Sequence, residues 1–189
     1  MRRVSLTVGL AIAAIVVLYA LCRYVRTQSL LREMARDVFT SFNDLGVTYW
    51  ADFGTLLGII RDNDIIAYDD DVDVCVIDNL ETHTLMETSV RARLESLGYT
   101  LKRLHWQAYR VFTQYGLFTD VFLQQINGET IIGATGENSN ISKRLVGSPK
   151  IHWWKGIAVR VPEHVHEALV WRYGDTYMTP IKNFKGRGS

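Results

Sequence analysis

The feature that most constrains this chain is an uncharged run of 19 residues at positions 4–22, VSLTVGLAIAAIVVLYALC. As a helix it would be ~28 Å long at ~1.5 Å per residue, close to the ~30 Å hydrocarbon core of a bilayer. Arginines flank the run on both sides, at positions 2, 3, 23 and 26. A helix that packs in a globular core is seldom apolar on every side. The run therefore predicts one transmembrane anchor over residues 1–26.

A cleaved signal peptide is the alternative interpretation of this run. Signal peptides carry an apolar region of about 7–15 residues and a small-residue cleavage site, and the run is longer and has no convincing site. Because basic residues lie on both flanks, charge alone does not predict the orientation in the membrane. Asn140-Ile141-Ser142 is a glycosylation sequon, which fits a soluble part on the lumenal side.

Composition excludes several classes of protein. The chain has 189 residues, 48% of them hydrophobic and 22% charged, and a formal net charge of +1. It is too apolar for intrinsic disorder, and it lacks the basic excess of a nucleic-acid-binding protein. The two cysteines, Cys22 and Cys75, are too few for a disulfide scaffold or a four-cysteine zinc site. We expect one globular domain behind the anchor and no nucleic-acid partner.

Apolar periodicity divides the rest of the chain into alternating helices and strands. Spacings of three and four predict an amphipathic stem helix over residues 27–46, ended by Gly46. Strands are predicted over 47–51, 71–77, 99–104, 108–114, 119–124 and 157–161, with a hairpin at Asn127-Gly128. Helices are predicted over 54–60, 80–97 and 162–173, and an irregular stretch over 133–149. This order predicts an α/β (α+β) domain with a mixed β-sheet over 47–180, followed by a tail over 181–189.

Seven aspartates fall within residues 62–78. A solvated acidic loop is one interpretation, but Asp71 and Asp73 lead directly into an apolar run and so belong to a strand. Residues two apart on a strand point to the same face, and like charges this close are costly unless a cation neutralises them. Carboxylates of this kind suit Mg²⁺ or Mn²⁺. A calcium EF-hand is excluded, because Val74 and Leu80 occupy the places of its glycine and its final glutamate.

Two further elements complete a candidate site. Gly54 and Thr55 precede the aspartate strand, and a glycine turn at the start of a helix offers free N–H groups to a phosphate. Asp120 lies in a later strand. It is either a structural strand-end carboxylate or a third acidic group, acting as a metal ligand or as a base for an attacking hydroxyl.

Three ordered blocks resemble the signature of the LicD/fukutin family of the nucleotidyltransferase-fold superfamily. The first is YWADFGTLLGIIR at positions 49–61 followed by DDDVD at 69–73, with Tyr68 in the place of the aromatic residue before the aspartates. The second is TDVF at 119–122, and the third is RYGDTYMTP at 172–180. The resemblance covers about residues 47–180 and implies a nucleotidyltransferase-like mixed sheet flanked by helices.

The resemblance also implies an activity and roles for residues. Members of the family move phosphocholine or a phospho-alditol such as ribitol phosphate from a CDP-linked donor to a glycan hydroxyl. It implies that Asp71, Asp73 and Asp120 form the catalytic and metal-binding set, holding Mg²⁺ or Mn²⁺. The remaining site residues implied are substrate-binding: Gly54, Thr55, Arg61, Asp52 and Asp70.

Two departures from the family pattern keep alternatives open. The linker over 62–68 has no Gly or Pro, and the interval between Asp120 and the last block is short. The main expectation is a membrane-anchored transferase of the Golgi or endoplasmic reticulum with a lumenal catalytic domain. The second is a catalytically degenerate relative that binds a glycan or a partner enzyme. A third is a cytoplasmic nucleotidyltransferase acting on tRNA or protein, which would require the apolar run not to be an anchor.

Overall fold

The structure is a computed structural model that describes residues 2–104 and 107–180. It begins with one helix of 43 residues, α1 (Arg2–Asp44). The predicted anchor and stem are therefore parts of one continuous helix, because residues 10–45 contain no Gly or Pro that would break it. The predicted stop at Gly46 is confirmed, with that residue in the left-handed region at φ 71°.

The part of α1 from Ile12 to Asp44 is, within the described residues, long and apolar enough to cross a membrane. Residues 12–26 are exposed throughout. From Gln28 onward the helix carries a buried stripe that packs on the sheet, formed by Leu31, Met34, Ala35, Val38, Phe39 and Phe42. The same helix thus combines a free apolar half with a docked amphipathic half.

A mixed sheet follows, as the sequence predicts, and it has seven strands. Its path is β1-β2-β5-β4-β3, with β6 paired to β5 and β7 paired to β6. Only the β2–β5 pair is parallel among the strand pairs of this described sheet. The strands are β1 (Tyr49–Ala51), β2 (Asp71–Ile77), β3 (Thr100–Arg103), β4 (Ala108–Phe112), β5 (Phe118–Asn127), β6 (Thr130–Ile132) and β7 (Ile141–Ser142).

Helices cover the sheet and its ends. Two of them continue through a π-helical turn: α2 into Gly58–Asp62, and α3 through Met86–Val90 into α4. The predicted helix at 162–173 starts three residues late. The helices are α2 (Phe53–Leu57), α3 (Leu80–Leu85), α4 (Arg91–Ser96), α5 (Lys143–Val146) and α6 (Val165–Tyr173).

Two predictions about the last third of the chain are wrong. Residues 133–149 contain a short 3₁₀ helix, β7 and α5 rather than an irregular stretch. A second strand pair, β8 (Lys150–Trp154) with β9 (Ile157–Val161), was predicted only in its second half. Its two-residue turn places Lys155 and Gly156 at φ 48° and 79°, the geometry of a tight hairpin that Lys-Gly signals less clearly than Asn-Gly. The predicted tail at 181–189 lies outside the described residues.

Alternate residues of β2 face the hydrophobic core on one side of the sheet and the candidate site on the other. Val72, Val74 and Val76 are fully buried on the side of the sheet that α1 covers. Asp71 and Asp73 point to the opposite side, where Cys75 belongs to a second buried cluster with Trp50 and Phe53. The strand period of two therefore anchors β2 through its valines and presents its aspartates on the other face.

Candidate active site

The turn before α2 is held by an unusual backbone. Asp52 lies extended at the N-cap of α2 and accepts a hydrogen bond from the Phe53 N–H at 2.8 Å. Phe53 has φ 48°, a conformation that an aromatic residue adopts only when its surroundings compensate the strain. Its ring is buried against Phe122, 5.4 Å between centroids. This packing fixes the direction in which Gly54 and Thr55 follow.

Thr55 orders the aspartate strand rather than standing free at the turn. Its side chain is buried, and its Oγ1 accepts a hydrogen bond from the Asp73 N–H at 2.7 Å. The backbone next to Asp73 is also tied by the Asp52 N–H, which donates to the Asp73 carbonyl at 3.3 Å. The Gly-Thr turn and the Asp-x-Asp strand are therefore one hydrogen-bonded unit.

Asp52 has a structural position, which differs from the substrate contact that we expected. The carboxylate is 2% exposed and pairs with Arg172 of α6, which is 1% exposed. Trp50 Nε1 also donates to it, at 3.2 Å. Since burial and these donors occupy both oxygens, Asp52 is not available to a substrate from solvent. It instead joins the end of the domain to the turn that carries Gly54.

Asp71, Asp73 and Asp120 converge. Asp73 lies directly opposite Asp120 in the parallel β2–β5 register, and each of the three carboxylates offers an oxygen within 4.8 Å of the other two. Asp71 and Asp73 are partly exposed, and Asp120 is 5% exposed. Strands far apart in sequence thus bring together the three acidic groups that the sequence singles out.

This crowding raises the pKa of the carboxyl groups. Burial, followed by the charges of Asp70 and Asp120, raises the pKa of Asp71 to about 6. Burial and the charge of Asp71 raise the pKa of Asp73 well above its ordinary value. Both carboxylates are costly to ionise in the isolated chain, and a divalent cation among them would remove that cost.

Arg110 is a site residue that the sequence analysis missed. It lies opposite Asp120 on β4 and donates two hydrogen bonds to that carboxylate, from Nε at 2.6 Å and from Nη2 at 2.7 Å. Its guanidinium stacks 3.9 Å from the centre of the Phe118 ring. The antiparallel register between residues 110 and 120 could have signalled this pair, but only once β4 and β5 were known to be neighbours.

Asp69 is the second missed residue. A Cβ on Gly54 would lie 2.7 Å from Asp69 Oδ2, so the missing side chain of Gly54 makes room for this carboxylate. Burial, followed by the charges of Asp71 and Asp70, raises the pKa of Asp69 to about 6. Asp69 therefore belongs to the acidic cluster, whereas its neighbour Asp70 is exposed.

Arg61 lies at the edge of this cluster. Its guanidinium makes two hydrogen bonds to Asp62, 2.8 Å and 2.7 Å, and its charge offsets a small part of the rise in the Asp69 pKa that burial and the neighbouring aspartates cause. It is the positive group that the loop places next to the acidic cluster. Gly58, three residues earlier, allows the return of the loop, since a Cβ there would lie 2.5 Å from the Asp64 carbonyl oxygen.

The donor set fits a hard divalent cation. Three carboxylate oxygens close together, two of them partly open to solvent, match the ligands that Mg²⁺ and Mn²⁺ prefer. Asp71, Asp73 and Asp120 would hold such an ion. Arg110 pairs with Asp120 and so neutralises part of the negative charge of the three aspartates. Asp71 and Asp73 make no direct ion pair with any of the described residues.

A mixed sheet with a Gly-Thr turn joined to an Asp-x-Asp strand, and a third aspartate on the parallel neighbour, defines a nucleotidyltransferase-type domain. The family model described as LicD/FKTN/FKRP, nucleotidyltransferase domain, matches residues 46–164. The chain belongs to this family, and this membership supports a transferase-type function.

Two uncharacterised proteins of Rickettsia are similar in sequence to part of this chain. An uncharacterised protein of Rickettsia prowazekii (strain Madrid E) is 30% identical over 93 residues, 49% of this chain and 32% of that protein. An uncharacterised protein of Rickettsia typhi is 31% identical over 72 residues, 38% of this chain and 22% of that protein. The matched part thus spans a third or less of these relatives.

Among solved structures, ANT(2″)-Ia in complex with adenylyl-2″-tobramycin superposes with a TM-score of 0.50 at 15% identity, covering 74% of this chain and 71% of that one. At this identity the likeness concerns the fold alone.

Proposed function

We propose that this protein is a membrane-anchored, metal-dependent phosphotransferase. In this proposal it moves a phosphocholine or phospho-alditol group, such as ribitol phosphate, from a CDP-linked donor to a glycan hydroxyl. The observation that carries the proposal is the convergence of Asp71, Asp73 and Asp120 within 4.8 Å, beside a Gly-Thr turn. The family resemblance supplies the class of donor and acceptor.

In the reaction, the acceptor oxygen bonds to the phosphorus of the phosphocholine or phospho-alditol group, and the phosphoanhydride bond from that phosphorus to CMP breaks so that CMP leaves. Mg²⁺ or Mn²⁺ bound by the three aspartates would neutralise the donor pyrophosphate and the charge that develops on the leaving phosphate. The alternative role of Asp120 is that of a base, which would accept the hydroxyl proton of the acceptor in place of binding the ion. Asp120→Asn distinguishes the two roles: loss of Mn²⁺ binding indicates a metal ligand, and loss of CMP release with Mn²⁺ binding retained indicates a base.

Two arginines supply positive charge around the donor. Arg110 and Arg61 both hold carboxylates bidentately, and the same planar fork fits phosphate oxygens. Gly54 leaves the backbone open next to Asp69, so a phosphate can approach the turn closely if Asp69 moves aside or is protonated. Phosphoryl transfer depends mainly on this kind of positioning and charge neutralisation.

The test uses the full chain in detergent with CDP-choline or CDP-ribitol, Mg²⁺ and a panel of glycan acceptors, and measures CMP release. Asp73→Asn should abolish release, while Asp78→Asn, at the far end of β2, should retain it. CMP release that is independent of Mg²⁺ and Mn²⁺, or that survives Asp73→Asn, would contradict the proposal.

One observation favours the degenerate-relative alternative. Arg110 occupies both oxygens of Asp120, and a chain that no longer binds metal could keep the fold through such a pair. Titration with Mn²⁺ separates the two, since a binding module of this kind would take up no ion at millimolar concentration.

We also propose that the catalytic domain lies on the lumenal side of the Golgi or endoplasmic reticulum membrane. The Asn140 sequon is not displayed on an open loop: Asn140 Oδ1 accepts a hydrogen bond from the Gly133 N–H at 2.9 Å, and Ile141 is 1% exposed. Protease protection of residues 27–180 in sealed vesicles is therefore a better test of orientation than glycosylation.

A further inference from the structure

The direction of α1 relative to the sheet fixes which end of the domain faces the anchor. Gln28 donates to the Asp69 carbonyl at 3.1 Å, just before β2 begins. Eleven residues later, Phe39 stacks on Tyr49, which pairs with Val76 near the end of β2. The helix and β2 therefore run side by side in the same direction. The residues of α1 before Gln28 project past the end of the sheet where Asp71 lies.

Three exposed tyrosines lie at this end. Tyr68 is 91% exposed, Tyr115 is 55% exposed and Tyr24 is 39% exposed. The Tyr68 ring is 6.0 Å from that of Tyr24, and the Arg26 guanidinium lies 5.1 Å from the centre of the Tyr115 ring. We call Tyr24, Tyr68 and Tyr115 the tyrosine rim. Two separate loops, before β2 and between β4 and β5, thus meet α1 at the height of residues 24–26.

This height coincides with the end of the apolar run. Tyr24 follows Cys22 by two residues, which is ~3 Å along a helix. Tyrosines with an apolar ring and a polar tip, and exposed arginines such as Arg23 and Arg26, are the residues that favour the headgroup layer of a bilayer. Tyr68 is exposed although it has φ 80°, a backbone conformation that disfavours a large side chain. Its ring is thus displayed outward at an energetic cost.

We propose that the tyrosine rim lies in the headgroup layer of the membrane that α1 spans, so that the catalytic domain rests on the lipid surface. This rests on the anchor in the proposed function. Asp71 is three residues from Tyr68, at most ~10 Å of extended chain. The carboxylate site then lies at the membrane-proximal end of the sheet.

The experiment places a fluorescent label next to the rim and leaves the tyrosines intact. Single cysteines at Ala67→Cys and Gln114→Cys, both exposed, are made in the full chain with Cys22→Ser; Cys75 is buried and unreactive. Leu80→Cys is the matched control, because Leu80 is 82% exposed and follows β2 at its opposite end. Leu18→Cys reports insertion of the anchor. The chain is placed in phosphatidylcholine nanodiscs whose lipids carry a nitroxide on the headgroup or on the acyl chain.

Nitroxide on the lipid headgroups should quench the fluorescence of the labels at positions 67 and 114. The fluorescence of the label at position 80 should be the same with and without nitroxide. Tyr68→Ser combined with Tyr115→Ser should reduce that quenching. If acyl-chain nitroxide quenches position 18 but 67 and 114 behave like 80, the rim proposal is overturned and the anchor stands. Protection of 67 and 114 from an aqueous quencher without lipid quenching would indicate a second copy of the chain, which also overturns it. An unquenched label at 18 overturns both the anchor and the rim.

Discussion

Arg172 and Asp52, 120 residues apart in the chain, form a buried ion pair with two hydrogen bonds, 3.0 Å from Nε to Oδ1 and 2.7 Å from Nη2 to Oδ2. The same guanidinium donates to the Ser139 carbonyl at 2.7 Å and covers the Phe53 ring at 4.4 Å. Burial opposes the charge of Arg172, but the Asp52 carboxylate raises the pKa of that guanidinium above its ordinary value. The last helix is thereby fastened to the turn that carries Gly54 and Thr55.

Arg172→Met should strongly destabilise the fold, because it leaves the Asp52 charge buried without its partner. Removing one member of a buried pair lowers the free energy of unfolding by about 3–5 kcal/mol. Urea unfolding of the detergent-solubilised chain measures the loss. Adding Asp52→Asn to Arg172→Met should recover part of it.

The control for this pair is Arg144→Met. Arg144 and Glu167 form an ion pair whose side chains are 63% and 53% exposed, so its removal should leave the urea midpoint unchanged. Equal losses in the two variants would mean that the buried pair is no more important than a surface pair.

Arg110→Gln should bind Mn²⁺ more tightly than the native chain. Arg110 donates to both oxygens of Asp120 and places a positive charge next to the ion-binding set, so its removal eliminates a competitor and a repulsion. A tenfold lower dissociation constant corresponds to ~1.4 kcal/mol, and we expect a change of this order in a calorimetric titration. Turnover should fall in the same variant, since the donor phosphates lose a positive partner.

Arg103→Gln is the matched control for Arg110. Arg103 is an exposed arginine on the adjacent strand β3, so neither Mn²⁺ affinity nor turnover should change. Weaker Mn²⁺ binding in Arg110→Gln would indicate that the arginine orients Asp120 toward the ion rather than competing with it.

Local sequence patterns identify some residues of the candidate site, whereas the positions of others depend on the tertiary structure. Asp71 and Asp73 were predictable, because strand alternation next to a valine-rich face places them on one side. The position of Asp120 opposite Asp73 was implied by the family resemblance and could not come from periodicity, since the register of a parallel pair depends on the whole fold. The buried pairing of Asp52 with Arg172 could not be predicted, because the two residues are 120 positions apart and only the tertiary structure brings them together.

The fold shows the same limits. The long strands and the 80–97 helix follow from local patterns, and their positions agree with the structure to within a few residues. The alternation of polar and apolar residues in the β8 strand, Lys150–Trp154, points the wrong way, since its apolar members Ile151 and Trp153 are 46% and 69% exposed while Trp154 is buried. Its partner β9 and the contacts of α1 determine its conformation instead.

Thr55→Val should lower both stability and metal affinity. The substitution keeps the shape of the buried side chain but removes the oxygen that accepts from the Asp73 N–H at 2.7 Å. An unpaired buried donor costs about 1–3 kcal/mol, and Asp73 would lose its fixed position. Thr55→Ser retains the hydroxyl and should keep Mn²⁺ affinity close to native. If Thr55→Val binds Mn²⁺ as well as the native chain does, the hydrogen bond does not position Asp73.

The acidic cluster should make the metal-free chain less stable as pH rises. Burial, then the charges of Asp70 and Asp120, raises the pKa of Asp71 to about 6, so the folded chain binds its proton more tightly than the unfolded chain does. Asp71 therefore contributes stability that is fully present below its ordinary pKa and is lost as pH rises through about 6. Asp71→Asn should reduce this dependence between pH 4 and 7 when urea midpoints are compared without divalent ions, and the raised pKa values of Asp69 and Asp73 account for the part that remains.

Asp64→Asn supplies a control of opposite sign. Partial burial opposes ionisation of Asp64, but hydrogen bonds from Arg32 and the Ile65 N–H lower its pKa below the ordinary value. Its contribution is present above the ordinary pKa and is lost as pH falls through the lower folded pKa, so Asp64→Asn should not alter the slope between pH 5 and 7.

Mg²⁺ or Mn²⁺ should stabilise the native chain more at pH 7.5 than at pH 5, because protons and the ion compete for the same oxygens. Equal stabilisation at both pH values would place the ion outside the three-aspartate cluster.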